Sequence, residues 1–199
     1  MVTNNVLREK FAQALPFEEY LKLCQPHEWP RWRSFADGVR LTPAQIAMAR
    51  ASVRRVNVLV ISGTWCGDCV QQCPILARFA EAHPVLTPSE PTAAGFDVRF
   101  IERDANMDFA EHFKICGGHR VPAAIFMNED FDFISLLGDR TLTRYRAVAA
   151  KSLGPSCPMP GAPLDADELA ATIQDWSDEF ERVALLVRLS AKLRQRHGD

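Results

Sequence analysis

Cys66 and Cys69 are separated by two residues in Trp65-Cys66-Gly67-Asp68-Cys69, a spacing that suits disulfide exchange. The nucleophile of such exchange is a thiolate, so a working site needs one accessible sulfur whose ionisation is favoured and a second within bonding reach. On the first turn of a helix, residues three apart share a face, and their Cα atoms fall within the roughly 4.4–6.8 Å that a disulfide requires. Unpaired amides and the positive end of the helix dipole favour an anion at the first position. Cys66 is therefore expected to attack, and Cys69, one turn deeper, to resolve.

Zinc and iron–sulfur centres use the same spacing. The segment Cys116-Gly117-Gly118-His119 precedes Val121-Pro122, so Cys66, Cys69, Cys116 and His119 make a candidate four-ligand zinc set, the sharpest rival to redox chemistry. Cys73 invites an iron–sulfur reading, but a small thiol beside Pro74 and one turn further into a helix reads more simply as core filling. Cys24 and Cys157 have no partner in the sequence and read as packing or incidental thiols. His119 and Arg120 are candidates to favour a Cys66 thiolate electrostatically, against the plainer reading of a surface turn.

To position the two sulfurs, the chain needs a strand before them and a helix after. Val58-Leu59-Val60-Ile61 is a continuous apolar run without polar alternation, as expected of a central strand covered on both faces. After Ser62-Gly63-Thr64-Trp65 and the cysteines, Val70, Cys73, Leu76, Phe79 and Ala80 recur at helical spacing. The pair thus falls where the C-terminal end of a strand meets a helix. Upstream, Thr42-Pro43-Ala44-Gln45 announces a helix running to about Arg55, with a capping hydroxyl, a proline and a box-completing Gln. Downstream, Val98-Arg99-Phe100-Ile101 reads as a second strand, about Ala105 to Phe113 as a helix, and Ala123–Met127 with Phe131–Leu137 as a hairpin turning at Asn128-Glu129-Asp130.

At the N-terminal side, Phe17, Tyr20, Leu21 and Cys24 at helical spacing and the Trp-rich His27–Trp32 segment suggest a helical extension. Between His83 and Gly95, prolines and small polar residues predict a surface loop, and the Pro-rich stretch between Ser152 and Pro163 predicts a linker. Asp165 with Glu168 can then cap a C-terminal helix of about thirty residues, with or without a break, whose apolar stripe is Leu169, Ile173, Trp176, Phe180, Val183 and Val187. The organisation expected is an N-terminal helical extension over 1–42, a core over 43–150, and a linker with a long helix packing on that core over 151–199. Its fold class is α/β, a central mixed sheet of four or five strands with helices on both faces.

A formal charge of −2, without a basic run interleaved with aromatics, argues against nucleic acid as a partner. No run approaches the length needed to span a bilayer, and the first ten residues lack the pattern of a secretory signal, so a cytoplasmic protein with no membrane partner is expected. Six cysteines in 199 residues are too sparse for a disulfide framework.

Taken together, these residues resemble the thioredoxin superfamily. Trp65-Cys66-Gly67-Asp68-Cys69 is similar to that family's Trp-Cys-Gly-Pro-Cys, and Pro74 falls where the family kinks its active-site helix. Asp104 sits near the family's Asp after the following strand, Pro122 resembles the cis-proline beside the disulfide, and Gly138 resembles the glycine after the hairpin. The likeness covers about residues 43–140 and is nearest to small bacterial thioredoxin-like proteins with Cys-Gly-Asp-Cys, whose N-terminal extension the segment from Phe17 also resembles. It implies a thiol–disulfide oxidoreductase acting on protein disulfides, with Cys66 and Cys69 catalytic and Trp65, Gly67 and Asp68 beside them. Val121 and a cis Pro122 would position the substrate, no cofactor would be needed, and electrons would come from a thiol reductase or small thiol. The alternative from another class is a non-catalytic binding module whose terminal helices recruit a partner. Two departures from the family pattern stand out. Val60 lies where the family buries an acidic residue, and Asp68 replaces a proline, its carboxylate repelling a Cys66 thiolate, so that Asp68→Pro is expected to raise the thiolate fraction.

Overall fold

The computed structural model describes residues 2–83, 94–152 and 166–198. Four strands form one sheet in the order β2-β1-β3-β4: β1 (Arg55–Ser62), β2 (Gly95–Glu102), β3 (Ala123–Met127) and β4 (Phe133–Gly138). β1 pairs parallel with β2, in register Val58↔Val98, and antiparallel with β3, in register Leu59↔Ile125. The unalternating run of β1 is explained by its burial on both faces, since every residue from Val56 to Ser62 is buried. On one face, Val56, Val58, Phe96 and Phe126 lie under helices; on the other, Arg99 stacks its guanidinium 4.8 Å from the Phe11 ring. This is the expected mixed α/β architecture, with four strands, and it is a thioredoxin-like fold with additional helices.

In chain order the helices are α1 (Asn4–Gln13), α2 (Phe17–Leu21), α3 (Trp29–Gly38), α4 (Pro43–Arg50), α5 (Gly67–Glu81), α6 (Met107–Ala110), α7 (Leu142–Ser152), α8 (Ala166–Leu189) and α9 (Ala191–His197). α4 starts with the expected capping box, Thr42 Oγ1 accepting from Gln45 N at 3.2 Å and Gln45 Oε1 from Thr42 N at 2.9 Å. It stops at Arg50 rather than near Arg55, because the Ser52 hydroxyl donates to Arg54 O at 2.9 Å and the chain is already turning into β1. The helix expected over 105–113 is broken into a 3₁₀ turn (Asp104–Asn106), α6 and a second 3₁₀ turn (Glu111–Phe113). Asn106 Nδ2 donates to Glu102 O at 2.8 Å, offering the backbone a partner outside a regular helix.

The hairpin turn is longer than expected. Asn128 Oδ1 accepts from the amides of both Asp130 and Asp132 at 2.9 Å, Phe131 takes φ +65°, and β4 begins at Phe133 instead of Phe131. At the C-terminus the expected stripe is present on α8, where Phe180 stacks on Phe79 of α5 at 4.7 Å and meets Phe96 and Phe126 edge-on. The chain breaks at Ser190, whose Oγ caps α9 through Leu193 N at 3.3 Å, and Leu193 then turns into the core. α1 falls within the expected N-terminal helical extension, whereas α7 is not foreshadowed by the sequence pattern. The linker between Ser152 and Pro163, the Asp165 cap and Cys157 lie outside the described residues, as do residues 84–93 of the expected surface loop. Among the described residues, no helix is long and apolar enough to cross a membrane.

Candidate active site

β1 ends at Ser62, and the chain turns through Gly63, Thr64 and Trp65 into α5, with Cys66 as its N-cap and Gly67 as its first residue. The Cys66 amide donates to Gly63 O at 3.0 Å and its carbonyl accepts from Val70 N at 3.1 Å, so the sulfur is held at the mouth of the helix. Cys69, one turn deeper, is fully buried, while Cys66 is half-buried, and the two are unbridged. Cys66 Sγ faces Val121 O at 3.6 Å, and the Val121–Pro122 peptide bond is cis. Cys69 Sγ accepts from Gly63 N at 3.4 Å.

Three segments remote in sequence hold this turn. From α3, Trp32 Nε1 and Arg31 Nη2 both donate to Thr64 O, at 2.8 and 2.9 Å. From the segment after β2, Asp104 Oδ2 accepts from Trp65 Nε1 at 3.2 Å, and the Arg103 guanidinium lies 4.5 Å from the Trp65 ring centre. Beyond β4, Arg140 grips the Asp68 carboxylate with two nitrogens, Nε at 3.0 Å, while Arg144 approaches it at 3.6 Å and also bonds Gln71 and Glu168. Gln72, fully buried on α5, donates to Asp139 O at 2.8 Å. The sequence carries no local signal for Arg140, Arg144 or Gln72; the Trp-rich segment is the one hint of Trp32.

The electrostatics of the pair differ from what a helix start alone suggests. The hydrogen bond with Cys69 pushes the Cys66 thiol up first, followed by burial and the charge of Cys69; the Cys69 amide pulls down and is outweighed. Burial pushes Cys69 up as well. Two sulfurs in contact do not both ionise, so titration belongs to the pair, which gives up one proton long before the second. Asp68 adds a smaller upward push on Cys66, and its carboxylate is itself paired with Arg140 and approached by Arg144.

The zinc alternative is not assembled: among the described residues no three His, Cys, Asp or Glu side chains are grouped to hold a metal. Cys116 is exposed at φ +50° in the tight Ile115–Gly118 turn, and His119 Nε2 pairs with Glu111 at 2.7 Å. Arg120 pairs with Asp139 at 3.3 Å, so neither it nor His119 is committed to Cys66. Cys73 is buried, 3.4 Å from Ser62 Oγ, and Cys24 is buried with its thiol pushed up to about 11, chiefly by burial.

A family profile described as thioredoxin matches residues 14–150. A crystal structure of a protein of unknown function from Pseudomonas aeruginosa superposes with TM-score 0.59 at 16% identity, covering 94% of this chain and 95% of its own. An HIV epitope scaffold superposes with TM-score 0.58, also at 16% identity, covering 92% of this chain and 98% of its own. No curated protein matches the chain.

Proposed function

The chain belongs to the thioredoxin family, and on that premise we propose that it reduces or exchanges protein disulfides through Cys66 and Cys69. The observation that carries this reading is the placement of a half-buried Cys66 at the mouth of α5, with a buried Cys69 in hydrogen-bond contact and the Val121 carbonyl opposite. The Cys66 thiolate attacks one sulfur of the substrate disulfide, the other substrate sulfur leaves and takes a proton, and a mixed disulfide forms on Cys66. Cys69 loses its proton and attacks Cys66, releasing the second substrate thiol and leaving an internal disulfide that a thiol reductase or a small thiol returns to the dithiol. Trp65, Gly67 and Asp68 shape the mouth of the site. The Val121 backbone beside Pro122 offers hydrogen-bonding groups to an extended substrate strand, which supports polypeptide disulfides as the substrate class. No cofactor or metal enters this cycle, and six cysteines in 199 residues, too sparse for a disulfide framework, support a reducing, cytoplasmic setting.

Turnover of insulin disulfides with dithiothreitol as donor tests the proposal. Cys66→Ser is expected to abolish it, and Cys69→Ser to trap a mixed disulfide on Cys66. Turnover that survives Cys66→Ser would overturn the assignment of the nucleophile, and tight partner binding unaffected by that change, without turnover, would make the chain a binding module instead.

A further inference from the structure

Val60, fully buried, brings no ionisable group beneath the resolving sulfur. What lies there instead is a small group of buried polar side chains that the exchange so far leaves unused. Ser62 and Cys73 are both fully buried, with Oγ and Sγ 3.4 Å apart, and Cys69 Sγ accepts from the neighbouring Gly63 amide. Tyr20, reaching in from α2 with its ring stacked 5.5 Å from Phe100, the strand partner of Val60, is fully buried; its hydroxyl makes no hydrogen bond of good geometry, with Ser62 its neighbouring hydroxyl and the sulfurs of Cys69 and Cys73 acting on it through space. A buried donor left unpaired is destabilising, and its presence points to a state of the protein in which it is paired.

We propose that Tyr20 and Ser62 form a hydrogen-bonding seat for the Cys69 thiolate, so that hydroxyl groups stabilise the resolving sulfur where the chain offers no acidic side chain. The proposal rests on the exchange reading above and deepens it. In the resolving step the Cys69 S–H bond breaks and its proton passes to the departing substrate sulfur or to water. The Cys69–Cys66 bond forms as the Cys66–substrate bond breaks, and that bond's electron pair leaves with the substrate sulfur. Tyr20 and Ser62 neither take up the proton nor change oxidation state; they donate hydrogen bonds to the anion before it attacks. Burial, with the nearby sulfurs, pushes the Tyr20 hydroxyl's ionisation up and keeps it a donor. The groups facing Cys69 are Cys66 and Cys73 on α5, Ser62 and the Gly63 amide at the end of β1, and Tyr20 on α2. Glu102 on β2 acts on Tyr20 from further off, its Oε2 engaged by the amides of Asp104 and Ala105.

The test follows the reaction of the reduced full-length chain with an aromatic disulfide, dithiobis(nitrobenzoate), in a background of Cys116→Ser and Cys157→Ser. Attack by Cys66 releases one coloured thiolate, and resolution by Cys69 releases a second. Tyr20→Phe is expected to slow the second release roughly tenfold near neutral pH and to move its apparent pKa upward, with the first release unchanged. Ser62→Ala should act in the same direction and keeps the test alive if Tyr20→Phe does not fold. Unchanged second phases in both variants, or equal slowing of both phases, overturns the proposal. A parent protein that shows no second release at all overturns the exchange reading itself, so the two failures are told apart.

Discussion

At the scale of single residues, the reactivity of Cys66 is set by a contest between its neighbours. A helix start favours the thiolate, yet contact with Cys69 and burial favour the proton, and the latter prevail. Because titration belongs to the pair, its poise is read from the reduction potential itself: a value near about −270 mV marks a reductase and one near about −120 mV an oxidant. Asp68 also favours the proton on Cys66, and its carboxylate is paired with Arg140 and approached by Arg144. Asp68→Asn removes the carboxylate and leaves the two guanidinium groups in place, so it is expected to lower the Cys66 pKa and raise the reduction potential by roughly 30 mV, the equivalent of about one pKa unit. The sign follows because the stabilised species is the thiolate, present only in the reduced form. Equilibration with glutathione at neutral pH measures it, and an unchanged or more negative potential would contradict the argument.

At the scale of elements, the site is a turn held by neighbours that are distant in sequence, and one close approach fixes their spacing. A Cβ built on Gly138, at the end of β4, would clash with Pro122 O and lie 3.0 Å from Ala123 Cα, both backbone atoms that cannot swing aside. Gly138→Ala is therefore expected to cost about 1–3 kcal/mol and to reduce turnover by displacing Val121 and Pro122 from Cys66. Chemical denaturation alongside the insulin assay checks it; a variant as stable and as active as the parent would show that the loop gives way freely. The same logic separates what can be read in the sequence from what cannot. Cys66 and Cys69 after an unbroken apolar strand are readable because the strand, the turn and the helix are local patterns. The α4 cap is readable because all its atoms lie within four residues. The Arg140–Asp68 clamp spans 72 positions and Tyr20 enters from a different helix, so neither has a local signature. The break at Ser190 and the division of the 104–113 segment reflect side-chain bonds that compete with a helical period the sequence does carry.

At the scale of the whole molecule, the terminal helices are built into the core that carries the sulfurs. Leu15 exchanges two backbone hydrogen bonds with Phe100 on the outer edge of β2, at 2.9 and 2.8 Å, and the rings of Phe17 and Tyr20 each pack 5.5 Å from Phe100. At the other end of the chain, Phe180 of α8 bridges Phe79 of α5, Phe96 of β2 and Phe126 of β3. α5 therefore holds Cys66 and Cys69 at its first turn while its interior packs on residues that arrive last in the chain. Phe180→Ala is therefore expected to cost about 3–5 kcal/mol and to lower the melting temperature by on the order of 10 °C, although Phe180 contributes no atom to the sulfur site. Cys69, buried in the native state, should become reactive to a thiol reagent over the same temperature range in which helical signal is lost, because the active-site helix has no separate support. Two resolved transitions, with Cys69 protected through the first, would instead mean that α8 detaches from a thioredoxin-like unit stable on its own.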